Sequence, residues 1–449
     1  MSKDNISATK LVLKAPVAQV LWRLATPNVV AVTMLTAVTV ADAWYVGQLG
    51  TAALASLALV FPFQTLMQMM AGGAIGGGIT SAVGRALGAG AIERAESTAW
   101  QAVLIALTMS VAFMIVLGLF ARPIFALLGG KGGALAGAVA YAGIAFGGAA
   151  TIWFVYVLSA ILRGTGDTVT PARAIVTASI AQIFLSGALT LGWFGLPNLG
   201  VTGVATALIV CHGLSATYLA IYLCHGKSGL RLRPHAVEWA PIRDIMKVGG
   251  LGLINSACMA MTVVVITGFV GRYGTEALAG FGLGARLELM LVPIAFGVGA
   301  ALTAAVGINV GASQFSRARR IAWTGAGVTL ALTGLLGICV AAMPHLWLDL
   351  FTADPDAYAY GVQYLVIAAP FYGIFAVGQT LYFASQGTGR MVLPVCVSAV
   401  RFLTVVAIGA FAISFAWDIT ALFIAVAIGL TIMGVGQALC LLGPGWRGT

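Results

Sequence analysis

Long apolar segments follow one another along the chain, and short polar turns separate them. A helix needs about 20 consecutive apolar residues to cross the hydrocarbon core of a bilayer. This criterion predicts an all-α membrane protein with twelve transmembrane helices. They lie at approximately residues 24–46, 53–80, 97–120, 135–160, 173–194, 200–223, 248–270, 277–306, 321–344, 360–384, 392–415 and 419–441.

The polar connection at residues 225–247 is longer than the others and rich in Lys and Arg. We interpret it as a cytoplasmic linker between two halves. The predicted organisation is a cytoplasmic N-terminal segment at 1–23, an N-lobe at 24–224, this linker, and a C-lobe at 248–449. The N-terminal segment is basic and partly amphipathic, and it has no small-residue cleavage site, which argues against a removable signal peptide.

Composition narrows the possible classes of protein. Only 8% of the 449 residues are charged and 60% are hydrophobic, whereas a soluble domain carries about 25% charged residues. The net charge of +10 does not indicate nucleic-acid binding, because the basic residues lie in short loops between apolar segments. The six cysteines lie in or beside apolar segments without CxxC spacing, which favours small buried side chains over disulfides or metal ligands.

The basic residues also predict the orientation in the membrane. Short cytoplasmic loops carry an excess of Lys and Arg. With the N-terminus in the cytoplasm, only Arg122, Lys131 and Arg272 fall on the outer side. The cytoplasmic side receives Lys3, Lys10, Lys14, Arg23, Arg85, Arg94, Arg163, Arg173, Lys227, Arg231, Arg233, Arg243, Lys247, Arg317, Arg319, Arg320, Arg390 and Arg447. We therefore expect a multi-pass protein of a bacterial inner membrane with both termini in the cytoplasm.

The two halves are repeats of each other. The segment 47–55 returns at 271–279, the Gly-Ala pair at 88 returns at 311, and Gly-Thr-Gly at 164 returns at 387. Because each half holds an even number of spans, both enter the membrane from the same side. The pattern thus predicts two six-helix bundles related by a pseudo-two-fold axis along the membrane normal, with a cavity between them.

The glycine-rich run at 72–78 lacks the Gly-Lys-Ser/Thr of a phosphate-binding loop and lies inside an apolar span. We interpret it as a surface for close helix packing. No other nucleotide-binding motif is recognisable, so uphill transport would draw on an ion gradient. No cofactor is expected, and no nucleophile–base set or metal-ligand cluster indicates an enzyme.

Asp42 is the one charged residue between residues 24 and 84. A carboxylate near the bilayer centre costs about 2.5–3.5 kcal/mol, so such residues are functional hypotheses by default. The alternative is that Asp42 caps the end of its helix or contacts lipid headgroups. The apolar neighbours Ala-Trp-Tyr-Val favour a functional carboxylate that loads and releases a proton.

Glu288 and Arg286 form a second charged site within a predicted span. Residues two apart do not face each other on a helix, so each should find a partner elsewhere. Arg401, in the eleventh span, is the candidate partner of Glu288. A structural ion pair and a transport role remain equally open.

Uncharged polar, Met and aromatic residues within the spans could line an adaptable substrate cavity, although helix packing is the alternative for each. The same applies to His212, which we interpret as a packing residue. The cavity candidates are Gln64, Met67, Gln68, Trp153, Asn255, Phe371, Tyr372 and Gln379.

Several blocks occur in a recognisable order, at residues 42–50, 53–55, 87–90, 94–95, 162–167 and 309–312. Together they resemble the multidrug and toxic compound extrusion (MATE) family over essentially the whole chain. The resemblance implies two six-helix lobes and export of organic compounds coupled to inward H⁺ or Na⁺. It also implies that Asp42 is the coupling carboxylate of the N-lobe.

The resemblance further implies a polar cluster around Asp42. Many family members carry Asn-x-x-x-Asp in the fifth helix, where this chain has Gln182 and Ser186, and Thr206 matches a sixth-helix threonine. Asn255 and Ala376 stand where one branch of the family has acidic residues, and the Arg286-Leu-Glu288 sequence is more similar to the DinF-like branch. With one carboxylate and few hard oxygen ligands, we expect H⁺ rather than Na⁺ as the coupling ion.

The sequence therefore predicts a monomeric antiporter, surrounded by membrane lipids, that exports cationic or amphipathic organic compounds in exchange for protons. One alternative is a flippase for lipid-linked oligosaccharides, for which more cationic cavity residues and often fourteen spans would be expected. A passive channel is the second alternative.

Overall fold

The computed structural model describes residues 6–352, 354–443 and 446, so Lys3 and Arg447 of the predicted basic side lie outside it. Across these residues the fold is helical, without strands. Eleven helices are long and apolar enough to span a membrane, and a pair bent by 47° makes the twelfth. The spanning helices are α1 Val17–Gly47, α2 Thr51–Gly88, α3 Ile92–Leu119, α4 Gly132–Gly147 with Ala149–Thr165, α5 Val169–Leu191, α6 Val201–Cys224, α7 Trp239–Tyr273, α8 Thr275–Gly311, α9 Phe315–Ala342, α10 Pro355–Thr388, α11 Val392–Ser414 and α12 Thr420–Cys440.

The predicted number of spans is confirmed, but several helices are longer than predicted. α1 begins at Val17 instead of residue 24, and α7 begins at Trp239, within the predicted linker 225–247. The reason is that hydropathy measures only the part of a helix that crosses the hydrocarbon. Each further turn outside that layer still adds a hydrogen bond per residue, so amphipathic ends stay helical. A separate short helix, Ile6–Lys14, precedes α1.

Each half of the chain has its own hydrophobic core. The core of the N-lobe, α1–α6, includes Trp153, Tyr141 and Phe146. The core of the C-lobe, α7–α12, includes Tyr364, Tyr372 and Phe423. The two-lobe architecture predicted from the internal repeat is confirmed.

The lobes meet mainly along α2 of the N-lobe, which packs against α7, α8 and α10 of the C-lobe, and along α1, which packs against α8. Glycines make this approach possible. A Cβ on Gly78 would lie 2.5 Å from the carbonyl oxygen of Ile245, and one on Gly249 would lie 3.1 Å from the Cα of Ile75. The prediction that the glycine run serves close helix packing is confirmed.

Polar contacts join the lobes near one end of the bundle, where α2, α8 and α10 terminate. We call this the basic end, because it carries Arg85, Arg163 and Arg317. There Arg85 Nη2 lies 2.8 Å from Asp244 Oδ1, and Gln386 Nε2 donates to the carbonyl of Gly73 at 3.2 Å. The Ser81 hydroxyl donates to the Gln386 carbonyl. These contacts close the space between the lobes at the basic end.

The helix Ile6–Lys14 lies across the basic end and contacts both lobes. Thr9 Oγ1 donates to the carbonyl of Thr165 at the end of α4, at 3.0 Å. Arg317 Nη2, on α9, donates to the carbonyl of Val12 at 3.0 Å. The N-terminal helix therefore bridges the two halves of the repeat.

Candidate functional site

Asp42 lies in the last two turns of α1 and is only 8% exposed. Gln182 of α5 donates from Nε2 to Asp42 Oδ2 at 3.3 Å. The carboxylate thus bonds to a neighbouring helix, so it does not serve as a cap for α1. An amide donor stabilises a charged carboxylate and fixes its orientation.

Ser186 lies one turn beyond Gln182 on α5, close to the same carboxylate. Asp42 Oδ1 and Ser186 Oγ are both buried, and no hydrogen bond of standard geometry joins either atom to a described residue, although the hydroxyl lies close enough to the carboxylate to interact with it. Buried polar atoms without such bonds cost free energy, so each needs an explanation such as a functional role or a bound water or ion. The structure therefore brings Asp42, Gln182 and Ser186 into one buried polar cluster with unused acceptor capacity.

Thr206 does not join this cluster. Its hydroxyl donates to the carbonyl of Thr202, one turn earlier on α6, at 2.9 Å. Ser and Thr side chains commonly bond back to their own helix in this way. The expected contact between Thr206 and the Asp42 cluster is thus absent in this conformation. His212 likewise bonds the carbonyl of Leu208 on its own helix at 3.0 Å.

Tyr141 is a neighbour of this cluster that the sequence did not single out. It lies on α4 within electrostatic range of Asp42, is almost fully buried, and donates to Gln64 Oε1 at 3.0 Å. The one signal for it in the sequence is that it is the only aromatic residue in the segment 132–145, which is rich in Gly and Ala. Gln64, a predicted cavity residue, is held by this bond at the edge of the N-lobe core.

Three predicted cavity residues belong to the packed cores instead. Met67, Trp153 and Tyr372 are fully buried. Trp153 packs with Phe113 at a ring-centroid distance of 6.0 Å, and Tyr372 donates to the Gly284 carbonyl at 3.4 Å. Large side chains fill the space between helices within a lobe, so these three residues follow the packing alternative in this conformation, and their role in a substrate cavity stays a prediction.

The remaining cavity candidates keep partial exposure or polar capacity. Gln68 and Phe371 are half-buried. Asn255 Oδ1 accepts a 2.6 Å hydrogen bond from Ser398, which joins α7 to α11. Gln379 Oε1 is buried without a partner in the described residues.

Glu288 and Arg401, the pair suggested by the sequence, lie within electrostatic range of each other in the C-lobe. Glu288 accepts a hydrogen bond from the Tyr364 hydroxyl at 3.2 Å. Arg401 lies over the Phe375 ring at 5.2 Å and contacts Met259 Sδ through Nη1 at 2.5 Å. Within the described ranges no direct salt bridge joins Glu288 to Arg401.

Arg286, two residues before Glu288 on α8, is exposed. The Phe375 ring stabilises the Arg401 guanidinium through a cation–π contact, whereas the Glu288 carboxylate is held by the Tyr364 hydroxyl. The C-lobe charges therefore lie among aromatic side chains, whereas an amide and a serine hydroxyl surround Asp42.

The profile of the family described as MatE matches residues 27–186 and, a second time, residues 253–411. The chain belongs to the MatE family. The double match also confirms the internal repeat. Members of this family are membrane transporters, and the MATE resemblance noted in the sequence is confirmed.

Several known proteins are similar to this chain over most of its length. A protein named FAD transporter from Shewanella oneidensis is 26% identical over 94% of both chains. A protein named probable multidrug resistance protein NorM from Thermotoga maritima is 27% identical over 73% of this chain and 71% of its own. A solved structure titled outward-facing conformation of a multidrug resistance MATE family transporter superposes with a TM-score of 0.87 at 21% identity, covering 100% of both chains.

Proposed function

We propose that the protein exports organic compounds across the cytoplasmic membrane in exchange for protons, with Asp42 as the group that binds the proton. The observation that carries this proposal is the buried carboxylate of Asp42, with one amide donor and one unpaired oxygen. A proton needs only that oxygen, whereas a hard cation such as Na⁺ prefers several oxygen ligands.

The coupling follows from the charge of the carboxylate. A charged Asp42 attracts a cationic or amphipathic compound, and a protonated Asp42 releases it. In the proposed cycle the proton enters from the end opposite the basic end, and the compound leaves there. The lobes then separate at the basic end, which faces the cytoplasm in the predicted orientation, and the proton is released as the next compound binds.

A second candidate function is export of a nucleotide-like anionic compound, since a relative that matches 94% of the chain is named FAD transporter. An ion gradient would drive that export in the same way, so the two candidates differ in the substrate and share the coupling site. Lipid-linked oligosaccharides remain a third class of substrate to test.

Purified protein in liposomes with independent pH and Na⁺ gradients tests the coupling. We expect efflux of a fluorescent organic cation to follow the pH gradient in the wild type. Asp42→Asn, which keeps the size of the side chain but cannot exchange a proton, should lower this efflux at least tenfold, to about the rate of empty liposomes. Asp356→Asn, at an exposed residue of α10, is the matched control and should transport normally.

Full pH-driven efflux by Asp42→Asn would rule out the proposed coupling site. Efflux that follows only the Na⁺ gradient would rule out the proton, and an ohmic current without gradient dependence would indicate a channel.

A further inference from the structure

Arg163 lies in the last turn of α4, two residues before the helix ends at Thr165, and only 7% of its surface is exposed. No described residue forms a hydrogen bond or salt bridge with its guanidinium, whose nitrogen atoms keep only slight contact with solvent. Asp167, the acid nearest in sequence, accepts hydrogen bonds from Thr170 instead, at 3.0 Å from the backbone and 2.6 Å from the hydroxyl. A buried cation without a partner is unfavourable, because the protein interior does not replace the lost hydration.

The guanidinium lines a small cavity at the junction of the two lobes. Its volume is about 30 Å³, which is room for one or two water molecules. The N-lobe contributes Asn28, Tyr156 and Pro171 to the wall, and α8 of the C-lobe contributes Phe296 and Ala300. No acidic side chain is among the lining residues. The cavity is therefore a positively charged chamber that the other lobe closes.

The part of the wall that comes from α8 would move in any cycle that separates the lobes at the basic end. Next to the cavity, α8 touches α1 so closely that a Cβ on Gly297 would lie 2.6 Å from Val29. Separation of α8 from α1 would remove Phe296 and Ala300 from the cavity and leave Arg163 facing the opened space. The guanidinium is thus nearly buried in this conformation and would become fully accessible from the basic end in the other.

We propose that Arg163 binds the negatively charged group, a carboxylate or phosphate, of a transported compound when the lobes are open at the basic end. A guanidinium binds such oxyanions through two parallel N–H···O bonds, and the closed cavity leaves no other partner for it. The inference rests on the proposed transport function and adds a substrate class, namely zwitterionic and anionic organic compounds.

The distance between Arg163 and Asp42 makes the two sites successive. Asn28 lines the Arg163 cavity, and Asp42 lies fourteen residues further along the same helix, about 21 Å away at 1.5 Å per residue. A compound shorter than about 20 Å cannot contact both residues at once. Arg163 therefore binds the compound first, at loading near the basic end, and the compound then moves toward Asp42 as the proton is released.

Two dyes that differ only in their charged group test the proposal. Tetramethylrhodamine carries a free carboxylate, and its methyl ester is a cation without it. Both are measured in the same proteoliposomes under a pH gradient with the membrane potential clamped. We expect Arg163→Gln to slow efflux of the acid about tenfold while efflux of the ester stays within about twofold of the wild type. Arg163→Lys should restore part of the acid efflux, and Arg319→Gln, at an exposed arginine of α9, should change neither dye.

A second arm uses only the wild-type protein, so it does not depend on the folding of any variant. Excess phenylphosphonate, an oxyanion that stays ionised and does not carry protons across the bilayer, should inhibit efflux of the acid dye and spare the ester, whereas neutral benzamide should inhibit neither; benzoate is avoided because benzoic acid would dissipate the pH gradient. Equal slowing of both dyes by Arg163→Gln, no slowing of either, or equal inhibition of both by phenylphosphonate would overturn the proposal. Failure of the proton-coupling proposal would give a different result. Asp42→Asn would then leave the efflux of both dyes at the wild-type rate, whatever the effect of Arg163→Gln.

Discussion

Arg85 of α2 and Asp244 of α7 form a salt bridge between the two lobes, with 2.8 Å between Nη2 and Oδ1. The two side chains are 17% and 30% exposed, so water reaches the pair. Arg85 also donates to the carbonyl of Gly387 on α10 at 3.4 Å. One arginine of the N-lobe thus contacts two helices of the C-lobe at the basic end.

We expect Asp244→Asn to favour separation of the lobes at the basic end. A partly exposed ion pair contributes up to about 1 kcal/mol, which corresponds to a change of about two- to fivefold in the open-to-closed ratio. Distances between spin labels at R94C and R319C, two exposed positions on opposite lobes at this end, measure the ratio in a background without native cysteines.

High salt should act on the wild type in the same direction, because ions screen a solvent-accessible pair. Asp356→Asn, remote from the lobe junction, serves as the control and should leave the distances unchanged. A distance distribution in Asp244→Asn that matches the wild type would show that the salt bridge does not hold the lobes together.

Gln182→Leu should slow pH-driven efflux at least about fivefold. The substitution keeps the approximate volume but removes the hydrogen bond to Asp42 Oδ2, a bond to a charged group of the kind worth about 1.5–3 kcal/mol. The measurement is the initial rate of cation efflux in proteoliposomes across a range of pH values.

The matched control for this prediction is Gln437→Leu. Gln437 is also fully buried and also donates one hydrogen bond, to the Pro394 carbonyl at 2.8 Å, but it lies in the C-lobe. If both variants lose the same activity, the effect comes from general destabilisation of the fold, and the specific role of Gln182 is wrong.

Gly78→Ala should destabilise the closed arrangement of the lobes by about 1–3 kcal/mol, as overpacking of a tight contact usually does. The added methyl would lie 2.5 Å from the Ile245 carbonyl oxygen and 3.1 Å from the Gly249 nitrogen. A lower melting temperature of the purified protein and slower efflux are the expected readouts.

Gly143→Ala supplies the comparison, since a Cβ there has no atom within 4 Å. That variant should gain about 0.5–1 kcal/mol, because alanine is the better helix former. Equal melting temperatures for the two variants would contradict the importance of the backbone contact between α2 and α7.

The hydropathy pattern predicted the number of helices because bilayer thickness fixes the length of a span. It singled out Asp42 as a candidate functional residue, because a lone carboxylate in such a span is costly. It could not predict which side of a helix faces the core, since lipid tails are as apolar as leucine. From the sequence, Trp153 and Met67 could therefore be interpreted either as cavity residues or as packing residues. In this conformation both are buried in the N-lobe core.

Arg163 shows a second limit of the sequence. It stands two residues before a glycine-containing turn, where a basic residue is ordinarily a solvated loop cation, and the orientation prediction counted it as one. Only the packing of α1, α5 and α8 around the end of α4 shows that it is buried. Contacts between lobes depend on residues distant in sequence, which neither spacing nor composition reveals.

The bridging position of the helix Ile6–Lys14 sets an order of events during biosynthesis. Its partner Arg317 is synthesised 305 residues after Val12, which at about 5–20 residues per second is about 15 to 60 s later. The N-terminal helix therefore cannot form this contact until α9 has been synthesised. Protection of this helix from protease would indicate that both lobes have been synthesised and have packed together.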